Sequence, residues 1–467
     1  MRGPLRCLFY SNRQCEGLKW WNKRRRDVPT LLHFIGCHGN RRPCHGKMNP
    51  HKCFPNRGYD LVYLVIFVVM FAFSLVDLMR DIRVASGSAI VDNLFNFGGG
   101  FVRRGLSGEI SFFLKDYLGI PLAWSVYLTY VSAYFFLAAV TVYYFVKRGY
   151  GLNVLIMAFA LGGVLVYGFD QWRRDFMELS LLAIVLMTYG RMPGRWWLVA
   201  GNVLMMFGIL LHEATFFFTV PILILVYNAR CGNILRSVCA WLPSIAMFGV
   251  CCVFKGTPET LPLVVERAQA YAPQCFPHGK VPWLLQFMGR DPVDVFNLHL
   301  MYNFKDVNCL GPIPFPAFLF TLFYVLYAPY MTVAMLIGFT PRRIPGAAVA
   351  SLVRIMGVQF VCLLPMFTVL SCDIARVLCY WIMSSLLVWL IVGGEAQAAM
   401  FRGGYRRFGD AVARKVFARV PGRLPLTLAV LFVGITFYIR APFDAVVCSL
   451  AYQFAHYVKS LCLWLCV

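Results

Sequence analysis

Long apolar runs separated by short polar segments dominate the pattern of this chain. A run of about 20 apolar residues can cross a bilayer as a helix. The run 196–227 is too long for one helix and predicts a tight hairpin of two, with His212-Glu213 at its apex. The pattern therefore predicts an all-α, polytopic membrane helical bundle of about 10–12 transmembrane helices. The other predicted spans are about 59–79, 124–146, 153–169, 176–189, 238–254, 315–339, 348–370, 377–392, 424–438 and 446–467.

Charged residues between the runs predict the orientation of the spans. Lysine and arginine collect at alternate connections, and such short cationic connections remain on the cytoplasmic side. The segments 80–122 and 255–314 are then extended outer loops, with a short amphipathic helix at about 110–120. Charges from distant spans reach the same outer side, where each costs about 2.5–3.5 kcal/mol in apolar surroundings unless it is paired or hydrated. We therefore expect a shared polar cavity there.

Composition divides the chain into two parts. With 60% hydrophobic and 14% charged residues, a soluble protein is excluded. The net charge of +23 is concentrated at the start, where 1–58 carries 13 Lys and Arg against two acidic residues. We predict a basic cytoplasmic segment over 1–58, disordered or partly untranslated because Met48 offers an alternative start, and a transmembrane domain over 59–467. The Cys and His spacings of the segment match no zinc finger, and no pattern there favours nucleic-acid binding.

A glycine-rich stretch, Phe95–Glu109, contains the first candidate chemistry. Its glycines allow the backbone to turn and to approach a ligand closely. Arg103 and Arg104 offer flat donor forks for phosphate or carboxylate, and Glu109 offers an acid or base. The alternative is a polar interfacial loop containing structural ion pairs.

Three further polar motifs interrupt apolar spans. Arg173-Arg174-Asp175 could grip a pyrophosphate and orient a hydroxyl, or could anchor the span at the interface. His212-Glu213 is a catalytic candidate, or a satisfied core pair; it lacks the second histidine of a zinc protease. Asp373 and Arg376 share a helix face and could simply pair.

Four motifs in this order resemble bacterial O-antigen and exopolysaccharide polymerase-like membrane proteins, related in logic to the C-type lipid-linked-sugar glycosyltransferases. The likeness covers about 60–391. The motifs are Gly-Gly-Gly-Phe-Val-Arg-Arg-Gly-Leu-Ser-Gly-Glu ending at Glu109, Arg-Arg-Asp ending at Asp175, Leu-His-Glu ending at Glu213, and Asp-Ile-Ala-Arg ending at Arg376.

This resemblance implies an enzyme of the bacterial inner (cytoplasmic) membrane, with a cytoplasmic N-terminus, that acts on undecaprenyl-diphosphate-linked sugars at the outer leaflet. It implies no cofactor and indicates no divalent metal ion, since the sugar–diphosphate bond already holds the energy. The partners would be the lipid-linked sugar, the bilayer and other polysaccharide-assembly membrane proteins, and no nucleic acid. Implied catalytic residues are Glu109, Asp175, His212 and Glu213; implied diphosphate-binding residues are Arg103, Arg104, Arg173, Arg174 and Arg376.

Two other functions fit the same residues. A transporter or flippase of lipid-linked oligosaccharide would use the arginines to carry anionic headgroups, although no inverted repeat is visible in the sequence. A membrane acyltransferase could use His212-Glu213. A transferase should expose these charges on one face only, whereas a transporter should expose them alternately on both.

Overall fold

The computed structural model describes residues 79, 82–83, 85, 88–150, 174–286, 317–340, 344–370, 374–401, 403–417 and 419–432. All of them belong to the unit Cys53–Val467. The described residues form helices and no strands, which confirms an all-α membrane protein. The predictions for the basic segment, for the spans at 59–79, 153–169 and 446–467, and for Arg173 and Asp373 lie outside the described residues.

Eight helices are described in the first half of the bundle. They are α1 (Ser88–Asp92), α2 (Gly105–Leu118), α3 (Leu122–Lys147), α4 (Asp175–Thr188), α5 (Gly194–Leu211), α6 (Thr215–Cys231), α7 (Ile234–Ala240) and α8 (Leu242–Val253).

The second half starts with a helix-containing segment and returns to long apolar helices. The described helices are α9 (Thr260–Tyr271), α10 (Trp283–Gln286), α11 (Ala317–Phe339), α12 (Gly346–Pro365), α13 (Ile374–Ile391), α14 (Gly394–Met400), α15 (Gly403–Val416) and α16 (Arg423–Phe432). A π-helical turn, Met366–Leu370, extends α12, and 3₁₀ turns lie at Pro273–Cys275 and Pro277–Gly279.

Helices long and apolar enough to cross a membrane are present among the described residues. They are α3, α5 and the stretch Gly346–Thr368, and a fourth span results if α7 and α8 count as one. The apolar helix α6 and the apolar parts of α11 and α13 are shorter. The expected total of 10–12 spans stays a prediction, because several of those spans lie outside the described residues.

The predicted hairpin is confirmed. Helix α5 ends at Leu211 and α6 begins at Thr215, with His212 extended between them (φ −159°, ψ 122°). The Thr215 hydroxyl donates to the Gly208 carbonyl at 3.1 Å, tying the two helices at the turn. This break holds His212 and Glu213 at the bundle end.

The predicted span 238–254 is not one straight helix. It consists of α7 and α8, bent by 57° at Trp241. Pro243 lies in the first turn of α8, where it lacks an N–H to continue the hydrogen-bond ladder from α7. The proline therefore explains the bend.

The basic connection 402–423, predicted as an inner loop, contains the amphipathic helix α15. This helix docks on α12 through a small residue, because a Cβ on Gly409 would lie 2.2 Å from Cγ of Arg354. Arg354 and Asp410 pair at 2.5 Å, and the Tyr405 hydroxyl donates to the Arg354 carbonyl at 2.7 Å. Likewise, the predicted outer loop 255–314 contains α9, which begins after Thr257-Pro258-Glu259.

Charged residues collect at two opposite ends of the described bundle. At one end, Arg148 donates to the Leu390 carbonyl at 2.9 Å, and Arg423 donates to the Gly338 carbonyl at 2.9 Å. The other end holds the start of α3, α4, α6 and α13 and the close of α5. The sequence predicts that these two groups of charges lie on opposite faces of the membrane. The directions of the described helices agree with that prediction. Which end faces the cell exterior stays a prediction.

Candidate functional site

The glycine-rich stretch folds into a tight turn before α2. The Phe95 carbonyl oxygen accepts a hydrogen bond from the Gly108 N–H at 3.0 Å. A Cβ on Gly108 would lie only 2.0 Å from that oxygen. A Cβ on Gly105 would lie 2.3 Å from the Phe97 ring. Arg104 itself is left-handed, with φ 65°. The glycines here serve a close backbone approach, which positions Arg103 and Arg104 at the turn.

Arg104 grips Glu213, which lies 109 residues later in the chain. Its Nε donates to Oε2 at 2.8 Å, and its Nη2 contacts Oε1. The neighbouring Arg103 reaches the same carboxylate less closely, with Nη1 3.5 Å from Oε1. Burial opposes ionisation of Glu213, but Arg104 and then Arg103 outweigh it and hold the pKa of this carboxyl well below its usual range. Glu213 is therefore an anion matched to two guanidinium groups.

His212 is held as a neutral imidazole. Its Nδ1 accepts a hydrogen bond from the Ala214 N–H at 3.0 Å, so the neutral ring carries its proton on Nε2. Burial, and then the positive charge of Arg104, lowers the pKa of His212 well below its usual value. The side chain can thus donate a hydrogen bond through Nε2, and at neutral pH it has no open nitrogen lone pair with which to act as a base.

Arg174 is nearly inaccessible, with 2% of its surface exposed. Its Nη2 lies 3.3 Å from Oδ1 of Asp92, and its Nη1 donates to the Leu211 carbonyl at 2.9 Å. Because Leu211 directly precedes His212, this arginine braces the hairpin apex against α1. Its Nε–H has no acceptor among the described residues. Asp92 is not among the site residues predicted from the sequence.

Asp175 opens α4 and binds a residue of α13. Arg376 approaches it with Nε 3.0 Å from Oδ2 and Nη2 2.5 Å from Oδ1. The Tyr380 hydroxyl donates to the same Oδ1. Arg376 and Tyr380 are four residues apart and share one helix face, so a single turn of α13 supplies both partners.

Glu178 is a candidate that sequence reasoning missed. It lies one turn after Asp175 and is completely buried, and neither of its carboxyl oxygens has a hydrogen-bond partner among the described residues. The nearby Thr215 hydroxyl donates to Gly208 instead. The charges that act on it are those of Asp175, Arg174 and Arg376. An acidic residue three positions after Asp175 was a visible signal, because that spacing places both carboxylates on one face.

Glu109 lies on the first turns of α2 and pairs with Arg267 of α9. The two contacts are Nη1–Oε1 at 2.7 Å and Nη2–Oε2 at 2.9 Å. The Phe97 N–H also donates to Oε1 at 2.7 Å. Glu109 therefore joins α9 to the glycine turn, and Arg267 is a partner that the sequence did not indicate.

Most of the predicted site residues meet in one network, which we call the arginine–carboxylate cluster. Consecutive residues connect its ion pairs: Arg174 adjoins Asp175, and Leu211 adjoins His212 and Glu213. Glu109 lies at its edge through α2, and Arg173 lies outside the described residues. The members are Asp92, Arg103, Arg104, Arg174, Asp175, Glu178, His212, Glu213, Arg376 and Tyr380.

Within the described part of the chain, no group of three or more His, Cys, Asp or Glu residues is arranged to hold a metal ion. Comparison with protein-family models, curated proteins and solved structures finds no match to this chain. Any functional conclusion therefore depends on the four motifs and on the geometry of the cluster.

Proposed function

We propose that this chain is a membrane glycosyltransferase, a polysaccharide polymerase that acts on undecaprenyl-diphosphate-linked sugars in the bacterial inner membrane. Its product would be a cell-surface or secreted polysaccharide. The observation that carries the proposal is the meeting of Arg103 and Arg104 with Glu213 at one end of an apolar bundle. Two guanidinium groups beside a carboxylate suit a diphosphate leaving group next to an acid or base.

The diphosphate would compete with Glu213 for the arginines. Arg103 has only a 3.5 Å contact to give up, whereas Arg104 has two shorter ones. A diphosphate offers more negative charge and more acceptor oxygens than one carboxylate, so it can replace Glu213 on both forks. Arg174 and Arg376 extend the positive charge across the cluster.

Transfer then requires one bond to form and one to break. An acceptor hydroxyl attacks the anomeric carbon, the bond from that carbon to the phosphate oxygen breaks, and the diphosphate leaves with its electron pair. Glu213, released from the arginines, would take the hydroxyl proton. His212 would donate from Nε2–H to an oxygen of the leaving diphosphate, where charge increases during the reaction.

The test replaces both Arg103 and Arg104 with lysine. Charge and insertion are retained, but the two-point fork is lost. Each lost fork removes about 1.5–3 kcal/mol of charge-assisted hydrogen bonding, which is about tenfold or more in rate. We expect the amount of polymer seen on a gel to fall sharply, while an immunoblot shows the normal protein level.

The matched control is Arg195→Lys, at the exposed start of α5, which should leave polymer length unchanged. Wild-type polymer from the double variant would contradict the proposal. A second result would also contradict it: the purified wild-type chain moves lipid-linked sugar across a vesicle membrane but does not extend the polymer. That result would describe a transporter.

A further inference from the structure

A small cavity with a largely apolar wall and a few polar side chains lies beneath the glycine turn, between α2, α3 and the start of α4. Its volume of about 30 Å³ has room for roughly one or two water-sized oxygen atoms. It adjoins the arginine–carboxylate cluster, because Ser107 of its lining donates to the Arg104 carbonyl at 2.9 Å and Leu211 lines its wall. The polar lining includes Ser107, Ser111, Ser125, Thr129, Tyr130 and Arg174.

The four small hydroxyl groups of this lining have already used their hydrogens. Ser111 donates to the Ser107 carbonyl at 3.0 Å, Ser125 to Leu122 at 2.8 Å and Thr129 to Ser125 at 2.6 Å. Ser107 donates to Arg104 in the same way. A hydroxyl group has one hydrogen and two lone pairs, so these side chains retain acceptor capacity only.

Two other groups of the lining retain a hydrogen to donate. The Nε–H of the buried Arg174 has no acceptor among the described residues. The Tyr130 oxygen accepts a hydrogen bond from Asn93, which leaves the phenolic hydrogen for another partner. An unsatisfied buried donor is destabilising, so a polar ligand that accepts from Arg174 is favoured.

This combination selects the chemistry of the ligand. A phosphate oxygen accepts hydrogen bonds and would face the lone pairs of four hydroxyl groups. A neutral hydroxyl both donates and accepts, so it can give its hydrogen to a serine and accept from Arg174 or Tyr130. The cavity therefore suits a hydroxyl group better than an anionic oxygen, since only the hydroxyl can also donate to the serine and threonine lone pairs.

We propose that this cavity binds a ring hydroxyl of the sugar, next to the diphosphate held by Arg103 and Arg104. The inference rests on the proposed function and deepens it, since it assigns the sugar to a different part of the site from the diphosphate. It predicts that Ser111 and Ser125 contribute to sugar binding and not to diphosphate binding.

The experiment compares two probes on the purified full-length chain in detergent. One is undecaprenyl diphosphate, and the other is the same lipid carrying a single glucose, galactose or N-acetylglucosamine in turn. The dissociation constants are measured for the wild type and for the double variant Ser111→Ala/Ser125→Ala. The control is Ser180→Ala, another buried serine that donates to a backbone carbonyl (Ala133, 3.1 Å) but lies outside the cavity lining.

We expect at least one sugar-bearing lipid to bind the wild type about tenfold more tightly than undecaprenyl diphosphate. The double variant should lose about threefold to tenfold of that preference in total. Its affinity for undecaprenyl diphosphate should be unchanged, and the control should behave as wild type. Equal affinity of the wild type for both probes, an unchanged preference in the double variant, or an equal loss for both probes would overturn the sugar assignment alone. If the wild type binds neither probe, the proposed function itself fails, and this inference with it.

Discussion

Arg376 and Asp175 lie 201 positions apart in the chain and form a two-point ion pair, with Nε 3.0 Å from Oδ2 and Nη2 2.5 Å from Oδ1. The pair joins the first turn of α4 to the first turn of α13, and Tyr380 adds a third contact to the same carboxylate. Asp175 is 5% and Arg376 16% exposed, so water compensates little for a lost partner. We expect this pair to be a main determinant of helix assembly at the cluster end.

Replacing Asp175 with asparagine should destabilise the protein by about 3–5 kcal/mol, because it leaves the Arg376 charge largely buried without its carboxylate. The measurement is thermal unfolding of the purified protein in detergent. The more exposed pair Glu109–Arg267 provides the comparison, and Glu109→Gln should cost less, near 1 kcal/mol. The double variant Asp175→Asn/Arg376→Met should recover part of the loss. Equal effects at Asp175 and Glu109 would contradict this account.

Glu213→Gln should increase the affinity of the purified chain for inorganic pyrophosphate. The wild-type carboxylate occupies Arg104 and adjoins Arg103, and the amide removes that competing charge without changing the shape of the side chain. We expect a dissociation constant about tenfold lower, measured by isothermal titration calorimetry, since one charge-assisted contact is worth about 1.5–3 kcal/mol. Polymer formation should nevertheless fall, because the proposed proton acceptor is lost. Unchanged or weaker pyrophosphate binding would argue against competition between ligand and Glu213.

His212 should make stability depend on pH in mildly acidic solution. Burial and the charge of Arg104 lower its pKa in the folded state, whereas in the unfolded chain it is about 6.5. Below pH 6.5 the unfolded chain binds a proton that the folded chain does not, so the free energy of unfolding falls, by up to about 1.4 kcal/mol per pH unit. The loss continues down to the lowered pKa of the folded state.

The variant His212→Asn separates titration from structure. Its amide oxygen can still accept from the Ala214 N–H, but it does not titrate, so the melting temperature should vary less between pH 7 and pH 5 than in the wild type. His278, exposed and left-handed with φ 54°, provides the control as His278→Asn. Glu213 does not contribute between pH 7 and pH 5. Because its pKa in the folded state is lowered, its protonation reduces stability only at more acidic pH. Identical pH profiles for the wild type and His212→Asn would refute the prediction.

Gly108→Ala should be strongly destabilising, by about 3 kcal/mol or more, because its methyl group would lie 2.0 Å from the Phe95 carbonyl oxygen and the backbone would have to move. The matched change Gly249→Ala, within α8, meets nothing within 4 Å. There, alanine should be neutral or should stabilise by about 0.5–1 kcal/mol. The measurement is the melting temperature of both variants. A Gly108→Ala variant that melts at the wild-type temperature would contradict the prediction.

The helices could largely be predicted from sequence because apolar run length determines them. The run 124–146 corresponds to Leu122–Lys147, and 176–189 to Asp175–Thr188. The break at His212-Glu213 was predicted from length, since the 32 positions 196–227 are too many for one ordinary span. The bend at Trp241 was missed because hydropathy does not detect Pro243 in the first turn of a helix.

Individual partners in the site could not be predicted in the same way. Charge pattern alone brought Arg104 and Glu213 to one side, but spacing detects only neighbours on the same helix. It therefore suggested a pair of Arg376 with Asp373, which lies outside the described residues, and could not suggest the pair of Arg376 with Asp175. Pairing across the bundle depends on which helices pack together, and that information is not contained in any local window of sequence. The pairs of Asp92 with Arg174 and of Arg267 with Glu109 could not be predicted for the same reason.

The pair between Asp175 and Arg376 also sets an order of events during synthesis. At about 5–20 residues per second, Arg376 leaves the ribosome roughly 10–40 s after Asp175. Throughout that interval the acidic start of α4, including Glu178, is in the translocation machinery or the membrane without this guanidinium. A chain that stops before α13 never acquires it. Such truncated chains should therefore be recognised and degraded by membrane quality control, so that only a chain synthesised through α13 can complete this end of the bundle.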